Sequence, residues 1–440
     1  MKPACPSTKQ LTSERGAALL AALCLAAVLA ISLASYVAVC YRSLQMSTRN
    51  VNSTRGVELA EVGMEEALWA LNKNDWSGWT ISGTTATKTV TGFTYDNGAT
   101  GAVTATVTNY DGSGAGSRTV TVTGTTTLND GTSTSRTLTS SSSQMPLFVN
   151  AVAGTTGKVK FKVAGTVDSY NSSLGDYSTQ TPTYSAILSS GSTSTTSAGV
   201  QLTNAQVKGY AALLNQSAGS FNSTSATLHG PTTPGATKID DDRISTSPYQ
   251  PLFEEKVPTG ASTLLPSGTA TIGTAGASTP TLYTATIVAL AGSDILTVDG
   301  PVTLVVSGDL TIANSAKIVI TANGSLDIHL GGDLSIKGNG IQNDTKLPRK
   351  LALIAKADNV YDALEMTNTT PFYGVIYTPY NSITIGSAQT IYGAIVAKSV
   401  TFNVSPVIHY DLDLRDSTRG VFAGLITPYA VADWRETASP

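Results

Sequence analysis

From Ala17 to Val39 the chain reads AALLAALCLAAVLAISLASYVAV, an uncharged apolar run. As helix, its roughly 23 residues extend about 35 Å, enough to cross a bilayer. Beyond it the apolar positions thin out but keep helical spacing: Leu44, Val51, Val57, Ala60, Met64, Ala67, Leu68 and Leu71 recur, with Glu58, Glu61, Glu65 and Glu66 among them. The pattern predicts one helix over 17–74, apolar all round in its first half and amphipathic in its second. Gly56 and Gly63 each weaken a helix by up to about 1 kcal/mol, so a kink or melted turn is expected there.

Over 80–143 the period changes to two. Thr87–Thr91, Ala102–Val107, Arg118–Val122 and Arg136–Leu138 alternate apolar and polar residues, and Asp96-Asn97-Gly98, Asp111-Gly112 and Asn129-Asp130-Gly131 supply turns. A small antiparallel sheet follows, with its Val and Leu face packed on the amphipathic half of the helix. Trp69, Trp76 and Trp79 are expected between helix and sheet. Asn109, Asp111 and Ser113 resemble part of a calcium loop but lack a bidentate Glu, so a hairpin turn is the reading adopted.

After Met145-Pro146 short hydrophobic strands alternate with Gly, Asn and Ser, and the chain repeats itself. Ser307-Gly308-Asp309-Leu310-Thr311-Ile312 returns as Gly331-Gly332-Asp333-Leu334-Ser335-Ile336. Phe372-Tyr373-Gly374-Val375-Ile376-Tyr377 returns as Ile391-Tyr392-Gly393-Ala394-Ile395-Val396, and Ser382-Ile383-Thr384-Ile385 as Ser399-Val400-Thr401-Phe402. Repeats of about 20 residues with one or two strands each suit a β-solenoid over 147–415, each coil pairing with the last; a β-sandwich is the alternative. Residues 216–285, rich in Ser, Thr, Gly and Pro, read as a loop insertion, and 416–440 as a C-terminal tail. The fold class is α+β, mainly β.

Composition fits a chain that works outside the cytoplasm. Of 440 residues 41% are hydrophobic and only 13% charged, with a formal net charge of -3, so nucleic acid is not an expected partner. Cys5, Cys24 and Cys40 all precede the β regions, which leaves the latter without disulfides or cysteine-based zinc sites.

The N-terminal motifs, Ser13-Glu14-Arg15-Gly16, the apolar run and Leu59-Ala60-Glu61-Val62-Gly63-Met64-Glu65-Glu66-Ala67-Leu68, resemble type IV pilin-like proteins of the PilX kind over roughly the first 140 residues. The resemblance implies that residues 1–16 are a cytoplasmic leader, that a prepilin peptidase cuts between Gly16 and Ala17, and that the partners are the membrane, other pilins and pilus-assembly proteins. Major pilins carry Glu at the fifth mature position; here Ala21 stands there, which implies a minor subunit. Over 147–437 the chain is similar to an uncharacterised C-terminal domain often joined to such N-termini, on Val163–Ser173, the two Tyr-Gly repeats, Ile408-His409-Tyr410-Asp411 and Ala432-Asp433-Trp434-Arg435-Glu436.

Candidate chemistry is sparse. Asp240-Asp241-Asp242-Arg243 is the densest acidic cluster and reads as a solvated loop. His229, His329 and His409 share no metal-ligand spacing, and His409 next to Asp411 is expected to cap a terminal rung. No nucleophile elbow or phosphate loop occurs, so neither a catalytic site nor a cofactor is expected. The expected function is structural: a minor pilin-like or pilus-assembly component in the bacterial inner membrane, single-pass, with an exported β domain for adhesion or spacing and an unknown surface ligand. A surface carbohydrate-active β-helix enzyme and an unprocessed single-pass adhesin are the alternatives.

Overall fold

The computed structural model describes residues 10–73, 75–110, 118–214, 221–248, 250, 252, 256–355, 364–416, 422 and 429–437. The fold is α+β, mainly β, and the chain divides into two units, 1–143 with 429–440 and 144–428.

The first unit is a helix, Gln10–Lys73, with an antiparallel sheet. Leu59, Ala60, Met64, Ala67, Ala70 and Leu71 pack on Val103, Ala105, Val107, Val120, Val122 and Leu138, alternate positions of the Thr100–Thr108, Arg118–Thr127 and Ser133–Gln144 strands. The outer face is lined with hydroxyl pairs: Thr123 with Thr137 at 2.9 Å, Thr125 with Ser135 at 2.8 Å and Thr127 with Ser133 at 3.0 Å.

No turn melts at Gly56 or Gly63; the helix is continuous. A Cβ on Gly124 would lie 2.1 Å from the Gly56 carbonyl oxygen and 2.8 Å from the Ala60 nitrogen, and one on Gly63 would lie 2.5 Å from methyls of both Val103 and Val122. These glycines let helix and sheet touch, and the apolar burial gained offsets their weak helix propensity. Trp76 and Trp79 pack edge to face at 5.3 Å, but Trp69 is 51% exposed, because residues 64, 67 and 71 face the sheet and 69 falls on the opposite side. The Asp111 and Ser113 positions of the calcium-like motif lie outside the described residues.

The tail expected over 416–440 contains a strand, Tyr429–Thr437, which takes the place next to Ser133–Gln144 in the same sheet. Arg136 pairs with Glu436 at 3.1 Å, and the Tyr429 N–H donates to Asn72 Oδ1 at 2.5 Å. The second unit is therefore inserted, in chain order, between two neighbouring strands of the first. Alternating Ala432, Asp433 and Trp434 gave the segment no apolar face strong enough to announce a strand.

The second unit is a stack of coils whose strands pair in parallel ladders, unlike the sandwich alternative. Leu310-Thr311-Ile312 aligns with Leu334-Ser335-Ile336, Tyr373 with Tyr392, and Ser382 with Ser399. Each sequence repeat is thus one coil above another. Val302, Leu304, Leu326, Ile328, Leu351 and Leu353 point inward and belong to one buried core.

The order of the coils is not the order of the chain. Strands at 152–154, 159–161 and 165–170 lie in mid-stack, pairing on one side with Thr390–Phe402 and Val407–Asp411, and on the other with strands between 186 and 213. From there the chain winds to one end at Ile244–Ser245, and resumes at Thr263–Leu264, the opposite end among the described pairings. It then winds back until residues 390–411 close on residues 152–170. The segment 216–285, expected as a loop insertion, contributes short strands to the ladders: Phe221–Thr224, Thr227–His229, Ala270–Ile272 and Thr281–Ala285. Polar strands this short have little β signature of their own and form because the adjacent coil supplies a ladder.

Gly124→Ala should separate helix from sheet and lower the stability of the first unit by about 1–3 kcal/mol, read as a lower unfolding midpoint in urea.

Candidate functional site at the seam of the stack

The closure of residues 390–411 on 152–170 is a seam between distant parts of the chain, and polar and aromatic side chains gather along it. The Tyr-Gly repeats bring Tyr373 over Tyr392, rings parallel within 2° and centroids 4.1 Å apart. The repeated glycine is needed for the coils to stack: a Cβ on Gly393, at φ +137°, would lie 1.9 Å from the Gly374 carbonyl oxygen. One coil further, His409 follows at 4.9 Å from Tyr392, and Tyr177 packs against both, 3.6 Å from His409 and 5.7 Å from Tyr392.

His409 does not pair with Asp411 and caps no terminal rung. Its Nδ1 meets Oδ1 of Asp168 at 2.6 Å, and the Tyr177 hydroxyl donates to the other oxygen, Oδ2, at 2.8 Å. His409 and Asp168 are partners in the parallel register, both outward-facing and both buried. His409 and Asp411 lie two residues apart on one strand, and Asp411 belongs to a second cluster. It accepts from the Ser172 N–H at 2.8 Å, the Ser172 hydroxyl at 2.6 Å and the Asp413 N–H at 3.1 Å. Asp413 in turn takes Arg349 Nε at 2.6 Å. Arg415 donates to the Tyr410 hydroxyl at 3.0 Å and to the Val149 and Ser185 carbonyls, while Tyr410 donates to the Phe148 carbonyl at 2.6 Å.

Burial raises the Tyr177 phenol, helped by its bond to Asp168; burial also raises Tyr373 and Tyr170, and lifts Tyr410 to about 12 against the pull of Arg415. These phenols remain protonated. The Asp411 carboxyl is also raised by burial, with its three hydrogen bonds opposing the shift and Asp413 adding to it.

The other sequence candidates stay apart. His229 Nε2 lies 2.5 Å from the Thr237 carbonyl near one end of the stack. His329 is buried within a mid-stack ladder. Asp240 caps a short turn by accepting from the Asp242 N–H, and Arg243 lies over Tyr210 at 4.3 Å. Among the described residues no group of three or more His, Cys, Asp or Glu side chains is placed to hold a metal ion. Gly16 and Ala17 lie within the N-terminal helix. From Ala17 onward that helix is long and apolar enough to cross a membrane, and Leu19 and Leu23 are 74% and 71% exposed.

Comparison with known proteins is spare. A family model described as a domain of unknown function (DUF7305) matches residues 254–417, the part of the stack that ends at the seam. No curated protein matches. Among solved structures, the competence-associated pilin ComZ from Thermus thermophilus is similar over 88% of this chain and 97% of its own, with 11% identity and a TM-score of 0.25. A score that low does not establish a shared fold.

Asp168→Ala should leave His409 Nδ1 and the Tyr177 hydroxyl unpaired and cost on the order of 3 kcal/mol, seen as a lower melting temperature of the second unit. Asp411 gives a pH signature. Its folded pKa is raised, so its contribution to stability is fully present below the unfolded value near about 4 and is lost as pH rises through the folded one. Wild type should therefore gain stability relative to Asp411→Asn between pH 7 and pH 4.5, in paired thermal melts; a constant difference would contradict the assignment.

Proposed function

We propose that the chain is a minor, pilin-like component anchored once in a bacterial inner membrane, with its β units exported for adhesion or spacing. The observation that carries this reading is the helix, one element in which an apolar half exposed on every side runs into a half packed on a sheet. Side chains such as Leu20, Leu25, Leu29 and Ile31 have no stable place in water and call for lipid or other apolar helices.

The resemblance to PilX-like proteins supplies the finer parts: a leader over 1–16, a prepilin peptidase acting between Gly16 and Ala17, and other pilins or pilus-assembly proteins as partners. Ala21 supports a minor position. An ionised Glu buried in a membrane is costly without a positive neighbour, and a subunit with nothing stacked above it lacks that neighbour. A non-enzymatic role is supported by the seam, whose carboxylates are engaged in holding the coils together: Asp168 by His409 and Tyr177, Asp411 by Ser172, Asp413 by Arg349.

N-terminal sequencing of the protein extracted from membranes tests the reading. A mature chain starting at Ala17 is expected; a retained Met1 would exclude pilin-type processing and leave a plain anchored surface protein.

A further inference from the structure

We propose that Lys346, Tyr373 and Tyr392 bind the carboxylate and hydroxyls of an acidic sugar, and that Asp176 is a resident placeholder which the sugar's carboxylate displaces. The proposal gives a ligand class to the projecting β domain and rests on that reading.

Lys346 is held in an unfavourable conformation. Its φ is +54°, a region that a long L side chain occupies at a cost and that Gly or Asn tolerates far better. The turn around it leaves no alternative. Asn343, buried, donates to the Leu347 carbonyl at 3.1 Å and the Tyr373 carbonyl at 2.9 Å, accepts from the Thr345 N–H and hydroxyl, and through its own carbonyl takes the Lys346 N–H at 3.1 Å. Those bonds hold the Lys346 backbone in this one conformation.

The Lys346 ammonium meets Asp176 Oδ2 at 2.7 Å, across 170 residues of sequence. The pair is open to water, its side chains 51% and 39% exposed, and a pair of that kind adds little to stability. Structural need does not explain it, and exchange of one carboxylate for another is cheap. Asp176 belongs to the excursion between Asn171 and Thr183, which also carries Tyr177.

Tyrosines lie beside the pair: Asn343 of the Lys346 turn is bonded to the Tyr373 carbonyl at 2.9 Å, and Tyr177, next to Asp176 in the chain, has its ring 5.7 Å from that of Tyr392. Tyr373 and Tyr392 are half-buried and stacked at 4.1 Å; burial raises the Tyr373 and Tyr170 phenols, and the Asp176 charge adds to the shift of each. Tyr170 is 1% exposed, and its hydroxyl has no hydrogen-bond partner. An ammonium beside several phenols matches a carboxylate flanked by hydroxyls. An acidic peptide fits less well, because Ile391 and Tyr392 are already paired in the ladder with Phe372 and Tyr373 on one side and Ile408 and His409 on the other, leaving no open strand edge for a peptide backbone.

Calorimetric titration of the full-length protein in detergent micelles with tri-galacturonate, a neutral galactose trimer and tri-glutamate tests this. Tri-galacturonate is expected to bind saturably, about tenfold more weakly to Lys346→Met and about threefold more tightly to Asp176→Asn, with no binding of the neutral trimer. Both substitutions are at exposed side chains, and melting temperatures report whether each variant is folded; the gain in Asp176→Asn decides the matter should Lys346→Met unfold. Absence of binding to both wild type and Asp176→Asn, undiminished binding to folded Lys346→Met, or equal binding of the neutral trimer or of tri-glutamate overturns the proposal. Sequencing the N-terminus of the same preparation keeps the two readings separate, since a start at Ala17 without sugar binding removes only the sugar site.

Discussion

Parallel pairing of one coil with the next is the constraint on which the second unit depends. A ladder leaves the outer edge of its last strand unpaired, so each coil is stable only while another lies beside it. The chain enters this stack in the middle, and the coil at residues 152–170 therefore has no neighbour on one side until residues 390–411 arrive. Closure takes place across 241 residues for His409 and Asp168 and 239 for Asp411 and Ser172. Long-range closure is entropically costly, and the seam is accordingly where buried ionic and aromatic contacts concentrate, in a protein otherwise surfaced by Ser, Thr and Gly.

Much of the architecture was legible because it repeats. The offsets between the Tyr-Gly phrases, and between the two Gly-Asp-Leu phrases, are the ladder registers themselves, since identical positions in successive coils face the same neighbours. The helix was legible from its periodicity, although the roles of its glycines were not: Gly56 and Gly63 look like breakers until Gly124 is seen opposite the first and Val103 and Val122 opposite the second. Composition misled where the strands are short and polar. Phe221–Thr224 and Thr281–Ala285 have the residues of a loop and pair because a ladder is already there.

The seam cluster was only half visible. Tyr373, Tyr392 and His409 fall at matching places in successive rungs, and that signal was in the repeats. Asp168, Tyr177, Asp176 and Lys346 carry none. A sequence presents His409 with Asp411 two residues away, and no local rule reveals that the two side chains answer to different partners; a mid-stack starting point, invisible in the order of residues, puts Asp168 at the histidine instead.

That starting point also decides how tension would pass through the inserted unit. Its two connections to the rest of the chain leave from one neighbourhood, where Tyr410 and Arg415 hydrogen-bond the Phe148 and Val149 carbonyls. A pull applied at those two points would load those bonds before it loaded the ladders. A stack strung by its two ends would be peeled rung by rung under load; here the end pairings, at Ile244–Ser245 and Thr263–Leu264, lie away from the points of attachment.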